Sequence, residues 1–278
     1  MYLKHFALKK MPFALTPNTE FSCNFSSHQE ALNVLLYGLH SGEGIIKIIG
    51  EVGSGKTFLC RELLNCLDPR FIVVYIPNPS LSPQELREAI LRELGCETTR
   101  EIDVMKLVLD KIFRAHQNGK RVVIIVDEAQ SLPDESLEAL RLLTNLETES
   151  EKLLQIVLFA QPELDERLKQ HAFRQLSQRI AFSYIFTALV LEETEEYISQ
   201  RLIVAGHKTG RLFDRKSIKL LHRASCGTPR IINILCHKAL LFSYGRGEHK
   251  VELTAVKRAI EDSADIVAKN FFRWKLKI

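Results

Sequence analysis

Long apolar runs are missing from this sequence. The longest, AFSYIFTALVL at Ala181–Leu191, is about half of the roughly 20 residues a spanning helix needs. That excludes a membrane span. The N-terminal MYLKHFALKKMPF has neither an apolar h-region nor a small-residue cleavage site, so no signal peptide is read. The six cysteines (Cys23, Cys60, Cys66, Cys96, Cys226 and Cys236) form no C-x-x-C and have no histidine at ligand spacing beside them. A disulfide framework and a zinc site are thereby excluded. Reduced, mostly buried thiols and a cytosolic location are expected. Charge imbalance is small too: 38 Lys and Arg against 34 Asp and Glu give +4 at pH 7. That is too little to imply nucleic acid or an anionic membrane by itself. No internal repeat and no low-complexity linker interrupts the chain. What is present is ordinary globular material, 46% hydrophobic and 26% charged over 278 residues, enough for a real core.

Short β-rich runs alternate with helical patterns. Strands are expected at Ile45–Ile49, Phe71–Ile76, Arg121–Val126, Leu153–Phe159 and, more weakly, Phe182–Phe186. They are apolar throughout rather than alternating, as strands buried on both faces should be. Between them the periodicity predicts helices at Lys56–Leu67, Pro83–Leu94, Val104–Gln117, Pro133–Glu147 and Leu164–Lys169. This α/β order calls for a parallel sheet with helices on both faces. After about Ala188 only amphipathic helices follow, at Glu192–Val204, Asp214–Ser225, Arg230–Phe242 and Leu253–Ala268. The reading is therefore two domains. Residues 1–187 form an α/β domain over which the irregular N-terminal segment is laid, and residues 188–278 form a smaller all-helical lid.

Glycine is also scarce, 13 residues in all, yet three fall within Gly50–Gly55. Gly50-Glu51-Val52-Gly53-Ser54-Gly55-Lys56-Thr57 is G-x-x-x-x-G-K-T, placed between an expected strand and an expected helix. Glycines let backbone N–H groups converge on a phosphate, and the following helix adds its positive end. Lys56 is suited to the β- and γ-phosphates of ATP, and the Thr57 hydroxyl to Mg²⁺. In RVVIIVDEAQSL an apolar run ends in Asp127 and Glu128. An acidic pair at the end of a buried parallel strand faces the ligand crevice. Asp127 fits Mg²⁺ held through water, and Glu128 fits polarisation of the attacking water. Gln161 ends the fourth strand, where it could meet the γ-phosphate. Arg174 and Arg179 in FRQLSQRI and Arg230 in GTPRIINIL are further candidates, though each alone could be a surface charge. The tetrad DEAQ also suggests a helicase, but such enzymes have two tandem cores and this chain has length for one.

Taken in order, GEVGSGKT, IIVDEAQSL, AQPEL, QLSQRI and GTPRIINIL resemble the AAA+ ATPases, and among them the ExeA/GspA type of type II secretion and pilus biogenesis. The resemblance covers nearly the whole chain. It implies a P-loop NTPase fold with a helical lid, and a Mg²⁺-dependent ATPase that works as a homo-oligomer with inner-membrane assembly proteins. It also implies Walker A roles for Lys56 and Thr57 and Walker B roles for Asp127 and Glu128. Gln161 falls at sensor 1 and Arg230 at sensor 2. Arg179, or else Arg174, is the candidate arginine finger. Larger relatives continue into a membrane span and a cell-wall-binding part that this sequence lacks. An assembly motor or switch competes with a DNA-associated ATPase of the transposition-helper kind and with a non-hydrolysing scaffold. The spread charge and the lack of an appended DNA-reading domain speak against nucleic acid. The tail KNFFRWKLKI is read as packing its aromatics on the lid, with a membrane surface or partner groove as the alternative.

Overall fold

The computed structural model describes residues 2–15, 21, 26–96, 103–148 and 151–265. The basic-aromatic tail and Cys23 lie outside the described residues. The chain divides into two compact units. One comprises 26–52 and 56–186; the other comprises 1–25, 53–55 and 187–278.

The first unit is built on five parallel strands, β1 (Ile45–Ile49), β2 (Phe71–Ile76), β3 (Arg121–Val126), β4 (Leu154–Ala160) and β5 (Ile180–Ile185), in the order β2-β3-β4-β1-β5. The three central strands are apolar because both of their faces are covered. On one face α2 (Ser26–His40) and α3 (Lys56–Cys66) bury Leu35, Leu59 and Leu63 against Ile46, Ile48, Val157 and Phe159. On the other, α4 (Pro83–Glu93), α5 (Val104–Gln117), α6 (Asp134–Leu143) and α7 (Pro162–Leu168) bury Leu86, Ile90, Ile112 and Leu137 against Ile45, Ile124 and Ile156. Helix α4 starts where its sequence says it should. The Ser82 hydroxyl accepts from the Glu85 N–H, Glu85 accepts in return from the Ser82 N–H, and Pro83 fills the first turn. Strand β5 departs from expectation. It begins two residues early and alternates between half-buried and exposed, because it is an edge strand with one face uncovered.

A short helix α8 (Arg174–Ser177) leads into β5. The second unit contains α9 (Leu191–Val204), α10 (Arg215–Ser225), α11 (Pro229–Gly245) and α12 (Leu253–Glu261). The N-terminal segment, expected over the α/β core, belongs instead to this helical unit, where it contributes the turn α1 (Tyr2–His5). The reason is burial: Tyr2, Phe6, Leu8 and Phe13 share a core with Tyr197, Leu202, Leu235 and Val256. Polar bonds fix the docking. The Lys9 N–H donates to Ala205 O (2.7 Å), and buried Arg201 donates to Pro12 O (2.6 Å) while stacking on the Phe21 ring. Among the described cysteines only Cys60 and Cys236 are buried. Cys66 is exposed, and Cys96 and Cys226 are intermediate, so fewer are interior than their composition suggested.

Candidate nucleotide site

The strand order explains why distant segments meet. Strands β3, β4 and β1 are neighbours and run parallel, so their carboxyl ends open on the same edge of the sheet. Asp127 follows β3, Gln161 follows β4 and Gly50 follows β1. The Gly50 N–H still donates to Ala160 O (3.1 Å), and the Asp127 N–H to Ile76 O (3.0 Å), so both site residues hang on the ladder. Open α/β sheets bind ligands at such an edge.

Beyond Gly50 the loop turns through Gly53 and Gly55, both left-handed at φ +81° and +107°. A side chain there would be strained, which is why the chain spends glycine at these positions. The Ser54 hydroxyl oxygen is buried without a hydrogen-bond partner. A buried polar atom left unmet in a glycine turn suits a bound oxyanion. Lys56 opens α3, is only 4% exposed, and donates to Gly50 O (2.7 Å) and Glu51 O (3.0 Å). Burial pulls its pKa down, opposed by the charges of Glu128, Asp127, Glu51 and Glu163.

Asp127 is as buried as Lys56, and burial pushes its carboxyl up. Hydrogen bonds from the Thr57 hydroxyl and the Glu128 N–H oppose that shift. The P-loop and the acidic strand end are thus joined directly. The Thr57–Asp127 pair is a hard-oxygen donor set that fits Mg²⁺ completed by water and phosphate oxygens.

Glu128 sits in the left-handed region, φ 53° and ψ 40°. A non-glycine residue held there stores strain of about 1–2 kcal/mol. The turn ends the strand and hands over to a 3₁₀ turn, Ala129–Ser131. The Glu128 Oε2 accepts from Gln161 Nε2 (2.8 Å) and from Gln130 Nε2 (2.6 Å). Gln161, expected at the end of the fourth strand, lies one residue past β4, and its side chain meets Glu128. Gln130 was not singled out from the sequence, nor was Arg167, which donates to the carbonyls of Gln130 (2.8 Å) and Leu132 (2.9 Å) and pairs with Asp134. The DEAQ tetrad held the only signal. Its glutamine faces back only because the chain turns at Glu128.

The arginines are less concentrated. Arg179 is half-buried, and its guanidinium donates to Thr144 O (3.2 Å), whereas Arg174 is exposed at the start of α8. Arg230 is in the helical unit, in the first turn of α11. Its backbone N–H donates to Gly53 O (3.3 Å), Gly53 being one of three loop residues grouped with that unit.

Among the described residues no helix is long and apolar enough to cross a membrane. A family model described as an AAA domain matches residues 39–168. The chain is 42% identical over 254 residues to general secretion pathway protein A of Aeromonas hydrophila, which covers 90% of this chain but 46% of that protein. It thus spans about half the length of the relative it matches. Of solved structures, it is similar to Cdc6p from Pyrobaculum aerophilum at 14% identity and TM-score 0.67, over 89% of this chain and 71% of that one. It is likewise similar to Aeropyrum pernix ORC2, a structure of ADPNP–ADP complexes, at 16% identity and TM-score 0.64, over 89% and 72%. The strand order, the matched domain and these folds agree: the chain has the P-loop NTPase (AAA+) fold, a parallel sheet flanked by helices with a helical C-terminal region.

Proposed function

We propose that this chain is a Mg²⁺-dependent ATPase, converting ATP and water to ADP and phosphate, and that its cycle serves the assembly of a type II secretion machine or a type IV pilus. The observation that carries the ATPase reading is the Thr57–Asp127 bond with Glu128 beside it, which joins the phosphate loop to an acid pair. Gly50 through Gly55 wrap the phosphates, and Lys56 exchanges its two loop carbonyls for phosphate oxygens. Thr57 and Asp127 hold Mg²⁺, which when bound neutralises charge on the phosphates. Glu128 polarises the attacking water, and Gln161 orients that carboxylate and the γ-phosphate side of the site. Arg230 is the second sensor. Arg179 is the finger that reaches a neighbouring subunit's nucleotide in a homo-oligomer, with Arg174, the more exposed of the two, next in line.

The assembly role rests on the 42% identity to a general secretion pathway protein. Within that type the sequence resembles MshM, of the MSHA pilus, and that resemblance supports a protein at the cytoplasmic side of the inner membrane with membrane-bound partners. The competing DNA-associated reading draws on fold likeness alone. One experiment tests the proposal. Glu128→Gln should bind ATP as the wild type does yet turn it over at least about 100-fold more slowly, the usual contribution of such a group. Assembly proteins should co-purify with that trapped form, and duplex DNA at low and high salt should leave wild-type turnover unchanged. Wild-type turnover in Glu128→Gln would overturn the chemistry, and salt-sensitive stimulation by DNA would overturn the assembly role.

A further inference from the structure

The proposed chemistry gives Glu128 a task that depends on its orientation, and orientation is what a glutamate lacks. Three rotatable bonds separate its carboxylate from a backbone already in an unusual conformation. Both donors to this carboxylate land on the same oxygen, Oε2, and among the described residues Oε1 receives no hydrogen bond. One of the donors is Gln161. The other, Gln130, has the shorter bond and has so far no role.

The Gln130 side-chain amide is used at both ends. Its Nε2 donates to Glu128 Oε2 (2.6 Å), and its Oε1 accepts from the backbone N–H of Gln161 (3.0 Å). Only this orientation of the amide satisfies both neighbours. Reversed, it would set an oxygen against a carboxylate and an NH₂ against an N–H. The residue is held from behind as well, because its carbonyl accepts from Arg167 Nη1 (2.8 Å). Gln130 thus ties the end of β3 to the end of β4 and anchors one carboxylate oxygen between them.

We infer that Gln130 is a positioning residue for Glu128, fixing Oε2 so that Oε1 is the oxygen presented to water. This rests on the proposed role of Glu128. A mere structural staple would also make these bonds, but it would not make turnover follow the donor capacity of position 130. Two variants of the full chain separate the cases. Gln130→Leu removes donor and acceptor. Gln130→Glu keeps the shape and the acceptor for the Gln161 N–H, but faces Glu128 with a second carboxylate.

In both, the KM for ATP and the affinity for a non-hydrolysable ATP analogue should stay within about twofold, while kcat falls about 10- to 100-fold, part of the 10²–10⁴ a well-placed acid–base group supplies. Lowering the pH from 8 to 6 then discriminates. Two carboxylates facing each other at that distance cannot both stay ionised, so the Gln130→Glu pair takes up a shared proton as pH falls and regains an O–H donor between positions 130 and 128; its kcat relative to wild type should rise several-fold. The Gln130→Leu ratio should stay flat. Gln130→Leu adds no charge, so its ratio to wild type is the baseline against which the Gln130→Glu ratio is read. Wild-type kcat in both variants would overturn the inference, as would losses carried by KM or a flat ratio for Gln130→Glu. Glu128→Gln, assayed alongside, keeps the two ideas apart. If it is inactive while the Gln130 variants turn over normally, only the role of Gln130 falls. If it is active, the role of Glu128 falls.

Discussion

His28 gives the α/β unit a built-in sensitivity to acid. Its ring, in the first turn of α2, lies 6.0 Å from that of Phe58 and 4.9 Å from that of Phe186. In these surroundings the charged imidazolium is poorly solvated, and burial pulls the pKa from 6.5 down to about 4. The folded state therefore prefers neutral His28, while the unfolded chain protonates it at its ordinary pKa. The stabilisation is fully present above about pH 6.5 and is lost as pH falls towards 4. For pKa values of 6.5 and about 4, the loss at pH 5 is about 2 kcal/mol, with a limit near 3 kcal/mol at lower pH. Urea unfolding of wild type and His28→Gln at pH 7.5 and pH 5 measures it. The wild type should lose about 2 kcal/mol more than the variant, which cannot titrate there. The imidazole signal missing from the variant's NMR spectrum should titrate at about 4. Parallel pH dependences, or a midpoint near 6.5, would refute the assignment of burial as the cause.

Lys56→Ala and Arg179→Ala should each be inactive alone, yet recover part of the ATPase activity when mixed, because some sites then pair an intact loop with an intact arginine. No recovery where mixed oligomers demonstrably form would restrict Arg179 to its Thr144 contact. Gly227→Ala should destabilise the helical unit by on the order of 2 kcal/mol, read as a lower melting temperature. A Cβ there would lie 2.1 Å from Leu189 O, at φ +69°.

Much of the α/β unit was legible because buried strands and amphipathic helices write their periods into the chain. β1, β2 and β3 match their apolar runs residue for residue, and α5 matches its pattern. Helix α6 is shorter than its pattern, since Thr144 already folds its hydroxyl back onto Arg141 O (2.6 Å). Helix α2 was not legible, because it follows directly on the irregular, proline-containing start of the chain. The strand order was not legible. Nothing local in LLQIVLFA says that β4 lies between β1 and β3, and that insertion is what brings Gln161 to Glu128. Motif spacing made Lys56 and Thr57 candidates, and the end of an apolar run made Asp127 and Glu128 candidates. Gln130 required the backbone reversal at Glu128, which is not a residue preference, since glutamate rarely adopts it.

The docking of the first residues among the last helices has a consequence for synthesis. Tyr2, Phe6, Leu8 and Phe13 leave the ribosome well before Tyr197, Leu202 and Leu235, with which they bury and which follow about 185 to 235 residues later. At about 5–20 residues per second, these apolar side chains wait on the order of 10–45 s for their core. The α/β unit, contained within 26–186, can close in the meantime. The sheet is complete only once residue 186 has emerged, so the nascent chain carries a sticky, unsatisfied segment until the helices beyond it follow, which makes that segment the point where a chaperone, or a premature neighbour, would take hold.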